Sequence, residues 1–257
     1  MLMTRIMPCL LLKNESLVKS IQFTNYKYIG DPINTVRIFN EMEVDELIFL
    51  DISATTENRS PSFKILSEIA SECFMPITYG GGIRNTEDMK KIFSLGFEKI
   101  SINSYAVEQP SLITKASDLF GSQSIIVSID VKKGKTGSYE VYTHNGKKST
   151  GLNPITFARK MQEVGAGEIL LTSIENDGMM EGFDTVLIKG VSSAINIPLI
   201  ACGGAGKAVD FADAVKAGAS AVAAGSMVVY QGKNRGVLIN FPSHKELKHV
   251  FDSNNIQ

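Results

Sequence analysis

One carboxylate in this chain stands where acid–base chemistry is expected. Asp130 follows the buried apolar run IIVSI. If that run is a parallel strand, Asp130 lies at the carboxyl end of the sheet, where active sites are found. A loop-capping role is the alternative for Asp130, and Asp51, at the end of an earlier run, is expected to brace neighbouring loops. Proton transfer on two faces of a substrate normally needs a second group. The corresponding position in the first run, CLLLKN, is Leu11, which cannot transfer a proton.

Short polar and glycine-rich turns follow four other apolar runs and indicate phosphate binding. Bare backbone N–H groups in such turns attract phosphate, and barrels often use the loops after strands seven and eight for it. The alternative is that the glycines only make tight turns. Lys19, in a long first loop at 13–30, could close over a phosphate or could be a solvated lysine. The turns are Gly80–Gly82 after run three, Asn103-Ser104 after run four, Cys202–Gly204 after run seven and Gly225-Ser226 after run eight.

Eight short apolar runs alternate with helical patterns along the chain. The runs are continuous and β-branched rather than alternating, which is typical of parallel strands covered on both faces. Helix starts are predicted at Asp31-Pro32, Ser60-Pro61, Asn85 and Asn153-Pro154. The pattern predicts an α/β fold, a (β/α)8 TIM barrel, with a doubly wound open sheet as the rival. The runs span 5–12, 46–51, 76–79, 98–103, 124–130, 168–173, 198–201 and 219–224.

The two halves of the chain resemble each other. ITYGGGIRN at 77–85 matches LIACGGAGK at 199–207, and ISINSYAV at 100–107 matches VAAGSMVV at 222–229. A period near half the chain predicts one domain over 1–257, built from half-barrels at approximately 1–121 and 122–257. Two similar halves close naturally into a ring, so the repeat favours the barrel. The polar stretch at 132–151 is expected to form a hairpin over the mouth, the open end of the barrel at the carboxyl ends of its strands.

Composition excludes several functional classes. The net charge of −1 gives no indication of binding to nucleic acid or to a membrane surface. No apolar run approaches the roughly 18 residues of a membrane span. The cysteines, Cys9, Cys73 and Cys202, are far apart and indicate buried thiols in a reducing compartment, so we expect a cytoplasmic protein. No His/Cys cluster suggests a metal, and no cofactor is expected.

Four charged residues stand at the starts of strands one, two, four and six, at the opposite end of the predicted barrel from Asp130. Alternating charges around this end of the barrel, which we call the floor, could form a closed ring of ion pairs. Such a ring would block the barrel at the floor and could open to let a small neutral solute pass. Spacing alone favours ordinary surface ion pairs, which contribute little. The four residues are Arg5, Glu46, Lys99 and Glu168.

The chain resembles the cyclase subunit of imidazole glycerol phosphate synthase, the HisF family, over nearly all its length. The matching stretches are DELIFLDI, GGGIRN, KISIN, FGSQ, GKKSTG, GAGEILLTSI and GGAGK. The resemblance implies two phosphate sites for a substrate with a phosphate at each end. It also implies a HisH-like glutaminase docked on the floor, with ammonia passing a charged gate that matches the four residues above. The implied phosphate residues are Gly82, Asn103 and Ser104 on one side and Asp177, Gly178, Gly204, Gly225 and Ser226 on the other.

The chain departs from this family at the mouth. The family uses aspartates at the ends of strands one and five. Asp130 matches the second of these, but Leu11 replaces the first. In the first loop Asn14-Glu15-Ser16 replaces the family's Asp-Gly-Arg, while Lys19 is kept. Loss of a general acid or base typically lowers the reaction rate about 10²–10⁴-fold. The stretch YQGKNRGVLINFPS resembles a subgroup, the WbuZ-like proteins of acetamidino sugar modification. That resemblance implies ammonia relayed to a separate sugar amidotransferase for surface polysaccharide. The alternatives are a true cyclase-lyase of histidine biosynthesis and, less favoured, a related phosphosugar isomerase.

Overall fold

The computed structural model describes residues 4–134, 136–232, 234–254 and 256. Eight parallel strands alternate with helices, as the apolar runs predict. Their bounds agree with the predicted runs to within a few residues at each end. Barrel strands one to eight are Arg5–Lys13, Leu47–Asp51, Ile77–Gly80, Lys99–Ile102, Ile125–Lys133, Glu168–Ser173, Leu199–Cys202 and Ala221–Ala224.

The eight strands close into a ring. Strand one pairs in parallel with strand two, where Leu11 lies beside Leu50, and with strand eight, where Arg5 lies beside Ala221. Strands five and six pair over six positions, and the first half meets the second where strand four pairs with strand five, Ile102 lying beside Val127. No barrel strand is left at an open edge, so the TIM barrel is confirmed and the open doubly wound sheet is excluded.

The helices connect successive strands and cover the outside of the ring. In the described part of the chain none is long and apolar enough to cross a membrane. The longer helices are amphipathic and bury one face against the sheet. The longer helices are Pro32–Glu41, Phe63–Glu72, Thr86–Ser94, Ser111–Phe120, Pro154–Glu163, Thr185–Ser192, Ala208–Lys216 and His244–Ser253, and two short helices are Ser104–Glu108 and Ser226–Val229.

Three of the four predicted helix starts are confirmed. Asp31, Asn85 and Asn153 each accept a backbone N–H of the first turn through the side chain. The prediction at Ser60-Pro61 is wrong, because that helix begins at Phe63. The local Ser-Pro signal there belongs to the preceding loop, in which Arg59 is held by Asp51.

The first loop is a β-hairpin, and its prediction as an irregular loop is wrong. Strands Ser16–Ile21 and Thr24–Gly30 extend the first barrel strand outward in an antiparallel meander. Asn14 and Glu15 have φ of 50° and 61°, and the next turn repeats this at Gln22 and Phe23. Positive φ at both central residues is what a two-residue hairpin turn requires. The turns lack the usual glycine, which is why the sequence signal was missed.

The predicted second hairpin is observed. Strand five runs on to Lys133 and pairs with Tyr139–Thr143, which in turn pairs with Lys148–Ser149. The two hairpins meet above the barrel, where the Asn145 amide donates to the Tyr26 hydroxyl at 2.6 Å. Together they form a roof over one side of the mouth.

Apolar side chains fill the barrel. The inner cluster lies inside the ring, and a larger cluster lies between strands and helices. Burial on both faces explains why the strand runs are continuous rather than alternating. The inner cluster consists of Met7, Cys9, Ile48, Ile126, Leu170, Ile200, Ala221 and Ala223.

Candidate functional site

A pocket opens at the carboxyl ends of the barrel strands. Its volume is about 1110 Å³, including space open to solvent. All residues predicted for the mouth lie on its wall: Leu11, Lys19, Gly82, Asn103, Ser104, Asp130, Asp177, Gly178, Gly204, Gly225 and Ser226. The βα loops therefore bring these residues together at one face, where barrel enzymes carry their active sites.

Asp130 is buried in this wall. The Asn103 amide donates to its Oδ2 at 3.3 Å, and Thr172 on the neighbouring strand also contributes a hydrogen bond. Burial, and then the nearby charge of Asp177, raise the pKa of Asp130 to about 7, although the Thr172 contact acts in the opposite direction. A carboxyl group that titrates near neutral pH can both donate and accept a proton.

The raised pKa gives a pH-dependent stability. The folded state keeps the Asp130 proton to about pH 7, whereas the unfolded carboxyl ionises near pH 4. Stability is therefore expected to fall as pH rises between these values, by at most about 4 kcal/mol. The amide of Asp130→Asn cannot ionise, so the stability of the variant should not fall with pH in this way. Its free energy of unfolding in urea should therefore exceed that of the natural chain by more at pH 8 than at pH 5. An equal gain at both pH values would show that Asp130 is not protonated in the fold.

Leu11 faces the mouth from the opposite side. Met7 and Cys9 point into the barrel, and Leu11 continues their row by the two-residue period of a strand. It is 8% exposed and reaches the pocket. Strands one and five are four apart in a ring of eight, so Leu11 and Asp130 stand on opposite sides of the mouth. The position carries an apolar side chain where an acid–base pair would need a second acid.

Lys19 is neither solvated nor in an irregular loop. Its ammonium donates to Asp177 Oδ1 at 2.8 Å, and the neighbouring Ser20 hydroxyl donates to Asp177 Oδ2 at 2.6 Å. Only 4% of Lys19 is exposed. The Lys19 side chain passes over Gly225, where an added Cβ would lie 2.9 Å from Lys19 Cε. The first hairpin is thus fastened across the mouth to the loop after strand six.

Asp51 braces its own loop, as expected. Its Oδ1 accepts the backbone N–H groups of Ser53 and Ala54 at 3.1 and 3.0 Å, and Arg59 pairs with its Oδ2 at 2.8 Å. Gly81 packs against it, because an added Cβ would lie 2.4 Å from the Asp51 carbonyl oxygen. With its oxygens engaged, Asp51 is a structural carboxylate at the edge of the pocket.

Two cysteines also reach the pocket from strands one and seven. Cys9 is buried, Cys202 is partly buried, and both thiols are free. The Cys202 side chain and burial raise the pKa of Cys9 well above its ordinary value. A raised pKa keeps the Cys9 thiol protonated and makes it a poor nucleophile.

The floor of the barrel carries a closed charge ring, the four residues Arg5, Glu46, Lys99 and Glu168. Arg5 pairs with Glu46 at 2.9 Å and with Glu168 at 3.1 Å, and Lys99 pairs with the same two acids at 3.3 and 3.1 Å. The side chains of Glu46 and Glu168 are 4% and 11% exposed. The interpretation as separate surface ion pairs is therefore wrong, because each cation bridges both acids at the barrel entrance.

Several residues of the site escaped the sequence prediction. Thr78, on strand three, donates to Glu46 Oε1 at 2.9 Å and fixes one side of the charge ring. Thr172 could have been found, because it lies two residues after Leu170 on the inward row of strand six. Phe23 and Asn145 line the mouth from the two hairpins. Their positions depend on turn geometry, which gave no recognisable signal.

Comparison with known proteins agrees with this architecture. A family model described as "Histidine biosynthesis protein" matches residues 5–235. A Pseudomonas aeruginosa protein named "Putative imidazole glycerol phosphate synthase subunit hisF2" is 50% identical over 96% of this chain and 99% of its own length. A Leptospira interrogans protein, "Putative imidazole glycerol phosphate synthase subunit HisF", is 46% identical over 98% of this chain and 100% of its own.

A third relative carries the same subunit name. The "Imidazole glycerol phosphate synthase subunit HisF" of Alkaliphilus metalliredigens is 42% identical over 98% of this chain and 98% of its own length. The family match covers most of the barrel, and the relatives match it from end to end. The chain therefore belongs to the histidine biosynthesis protein family and, within it, is a HisF-like barrel.

Proposed function

We propose that this chain is the barrel subunit of a glutaminase-coupled complex. Ammonia released by a HisH-like glutaminase on the floor would pass the charge ring, cross the barrel and meet an acceptor at the mouth. The charge ring is the observation that carries the proposal. A surface ion pair needs only two partners, whereas here two cations and two buried acids converge on the entrance of a closed barrel.

The first candidate for the reaction at the mouth is the cyclase-lyase of histidine biosynthesis. It would join ammonia to the ribulosyl aminoimidazole carboxamide substrate, giving imidazole glycerol phosphate and the carboxamide ribotide. The names of the relatives favour this candidate. Asp130, with its pKa of about 7, is suited to the proton transfers, and Lys19 lies in the same pocket.

The second candidate is delivery of ammonia to a separate sugar amidotransferase for acetamidino modification in surface polysaccharide. Leu11 is the observation that favours it, because the strand-one position of the acid–base pair is apolar and only Asp130 of that pair remains in the mouth. The resemblance of the C-terminal stretch to the WbuZ-like subgroup supports the same candidate. Here the barrel would guide ammonia without transforming a substrate of its own.

Two assays separate the candidates. Expression in a histidine-requiring strain that lacks its cyclase subunit should restore growth if the first candidate is correct. Purified chain, glutaminase and sugar amidotransferase should form the amidino product from glutamine if the second is correct. Product that forms equally well without this chain would exclude the second, and failure in both assays would refute the proposed function.

A further inference from the structure

Two cysteines, Cys9 and Cys202, face the interior of the barrel from strands that are not neighbours. On strand one Cys9 follows Met7, and on strand seven Cys202 follows Ile200, each by the two-residue period of inward side chains. Strand eight lies between the two strands. The distance between the thiols therefore depends on whether they stand at the same height in the barrel.

The strand register places both cysteines at one height. Cys202 pairs with Ala223, and Ala223 pairs with Met7. Because the strands of a TIM barrel tilt, side chains at one height advance by about one residue from each strand to the next. Two strands on from Cys202, that height lies two residues beyond Met7, at Cys9. Side chains from alternate strands form one layer, so the two cysteines are adjacent members of it.

The two thiols are close enough to interact. The Cys202 side chain acts more strongly on the pKa of Cys9 than any other group, and it raises that pKa through a hydrogen bond. The same register assigns Gly80 and Ser128 to the layer. Gly80 has no side chain and Ser128 stands opposite Cys9, so neither separates the two sulfur atoms.

The two thiols differ in access to solvent. Cys9 is 5% exposed, whereas Cys202 is only partly buried and borders the pocket, which is open to solvent. A small oxidant that enters the mouth therefore meets Cys202 first. Cys73 is also partly buried and free, but it follows the helix Phe63–Glu72 and lies outside the barrel layer. It is a natural control for the reactivity of a single thiol.

We propose that Cys9 and Cys202 form a reversible redox pair, which hydrogen peroxide converts into a disulfide inside the barrel. The Cys202 thiolate attacks one peroxide oxygen, and the O–O bond breaks to give a sulfenic acid and, with a proton from solvent, water. The Cys9 sulfur then attacks the Cys202 sulfur. The S–S bond forms, and the sulfenic hydroxyl leaves with the Cys9 proton as a second water. The two thiols lose two electrons in all, and these reduce the peroxide.

Positioning makes the second step possible. The raised pKa of Cys9 keeps its thiol protonated and a poor nucleophile, but adjacency to the Cys202 sulfur replaces a bimolecular encounter with an intramolecular one. A thiol reductant reverses the change by exchange. The pair stands one inward position below Leu11, between the charge ring and the mouth, so the disulfide would link strands one and seven within the barrel wall. The inference depends on the fold and not on the proposed function.

Peptide mapping of the intact chain tests the inference. The folded protein is treated with a small excess of hydrogen peroxide, its remaining thiols are alkylated, and it is digested with trypsin. We expect a cross-link between the peptides 6–13 and 190–207, which contain Cys9 and Cys202. Dithiothreitol should remove it, and Cys73 should be recovered alkylated. A cross-link that involves Cys73 or joins two chains would overturn the inference, as would irreversible oxidation of Cys202 with Cys9 still alkylated.

Single substitutions assign the order of the two steps. In Cys9→Ala the sulfenic acid at Cys202 should persist and react with dimedone, whereas the natural chain should give little of this adduct. In Cys202→Ser peroxide should leave Cys9 as a free thiol. Cys73→Ser should form the cross-link at the rate of the natural chain. Oxidation of Cys9 at an unchanged rate in Cys202→Ser would contradict the pair, and the map of the natural chain decides the question if a variant does not fold.

Discussion

Replacing Leu11 with aspartate is expected to raise the rate of ammonia-dependent cyclisation by about 10²–10⁴-fold, the usual contribution of one general acid or base. The new carboxyl group would face Asp130 from the opposite side of the mouth and would complete an acid–base pair. The ribulosyl substrate supplied with ammonium at saturating concentration avoids any need for the glutaminase. Product formation followed by chromatography measures the rate.

Leu11→Asn is the matched control, because it has nearly the same shape as the aspartate variant but no ionisable proton. We expect its rate to stay near that of the natural chain. Equal rates for both variants would mean that polarity rather than proton transfer limits the reaction. No increase for Leu11→Asp would show that the departure from cyclase chemistry extends beyond this one position.

Glu46→Gln is expected to destabilise the fold by about 3 kcal/mol, the lower part of the range for removing one partner of a buried ion pair. Glu46 binds Arg5, Lys99 and Thr78, and its side chain is 4% exposed. The substitution leaves both cations with Glu168 alone. Arg5 is about one-third exposed, so solvent offsets part of the cost. Urea unfolding at neutral pH measures the difference.

The control for the charge ring is Glu72→Gln, which breaks the exposed pair between Arg37 and Glu72 on the outer helices. Exposed pairs contribute less than about 1 kcal/mol, so this variant should unfold close to the natural chain. If both variants lost the same free energy of unfolding, the charge ring would contribute no more to stability than an exposed ion pair. Its closed geometry would then need another explanation.

The barrel could be predicted from the sequence because its signals are local. Each strand is a short, continuous apolar run, and Asp31, Asn85 and Asn153 mark helix starts with side chains that cap their own helix. The first hairpin could not be predicted in this way. Its turns use Asn14-Glu15 and Gln22-Phe23, and although Asn14 suits positive φ, Glu15, Gln22 and Phe23 are residues that seldom adopt it and so give no turn signal.

The members of the mouth could be predicted, but their bonding could not. The position of Asp130 at the end of its apolar run predicted its place on the pocket wall, although the strand itself runs on to Lys133. The pairing of Lys19 with Asp177 joins residues 158 positions apart and depends on the hairpin that the sequence did not reveal. Ser104 accepts the His144 backbone N–H of the second hairpin, a tertiary contact, and donates to Asn103 Oδ1, whereas the Ser226 hydroxyl has no hydrogen-bond partner among the described residues. The repeat alone makes the two serines look alike.

The passage of ammonia through the barrel can be tested directly with an isotope. The complete glutaminase-coupled system would receive glutamine labelled with ¹⁵N at the side-chain amide, together with an excess of unlabelled ammonium in the buffer. Mass spectrometry of the nitrogen-containing product reads the source of the transferred atom. We expect nearly all of it to carry ¹⁵N, because ammonia enters through the charge ring without mixing with solvent. Product labelled only in proportion to the bulk ammonium pool would contradict a channelled path.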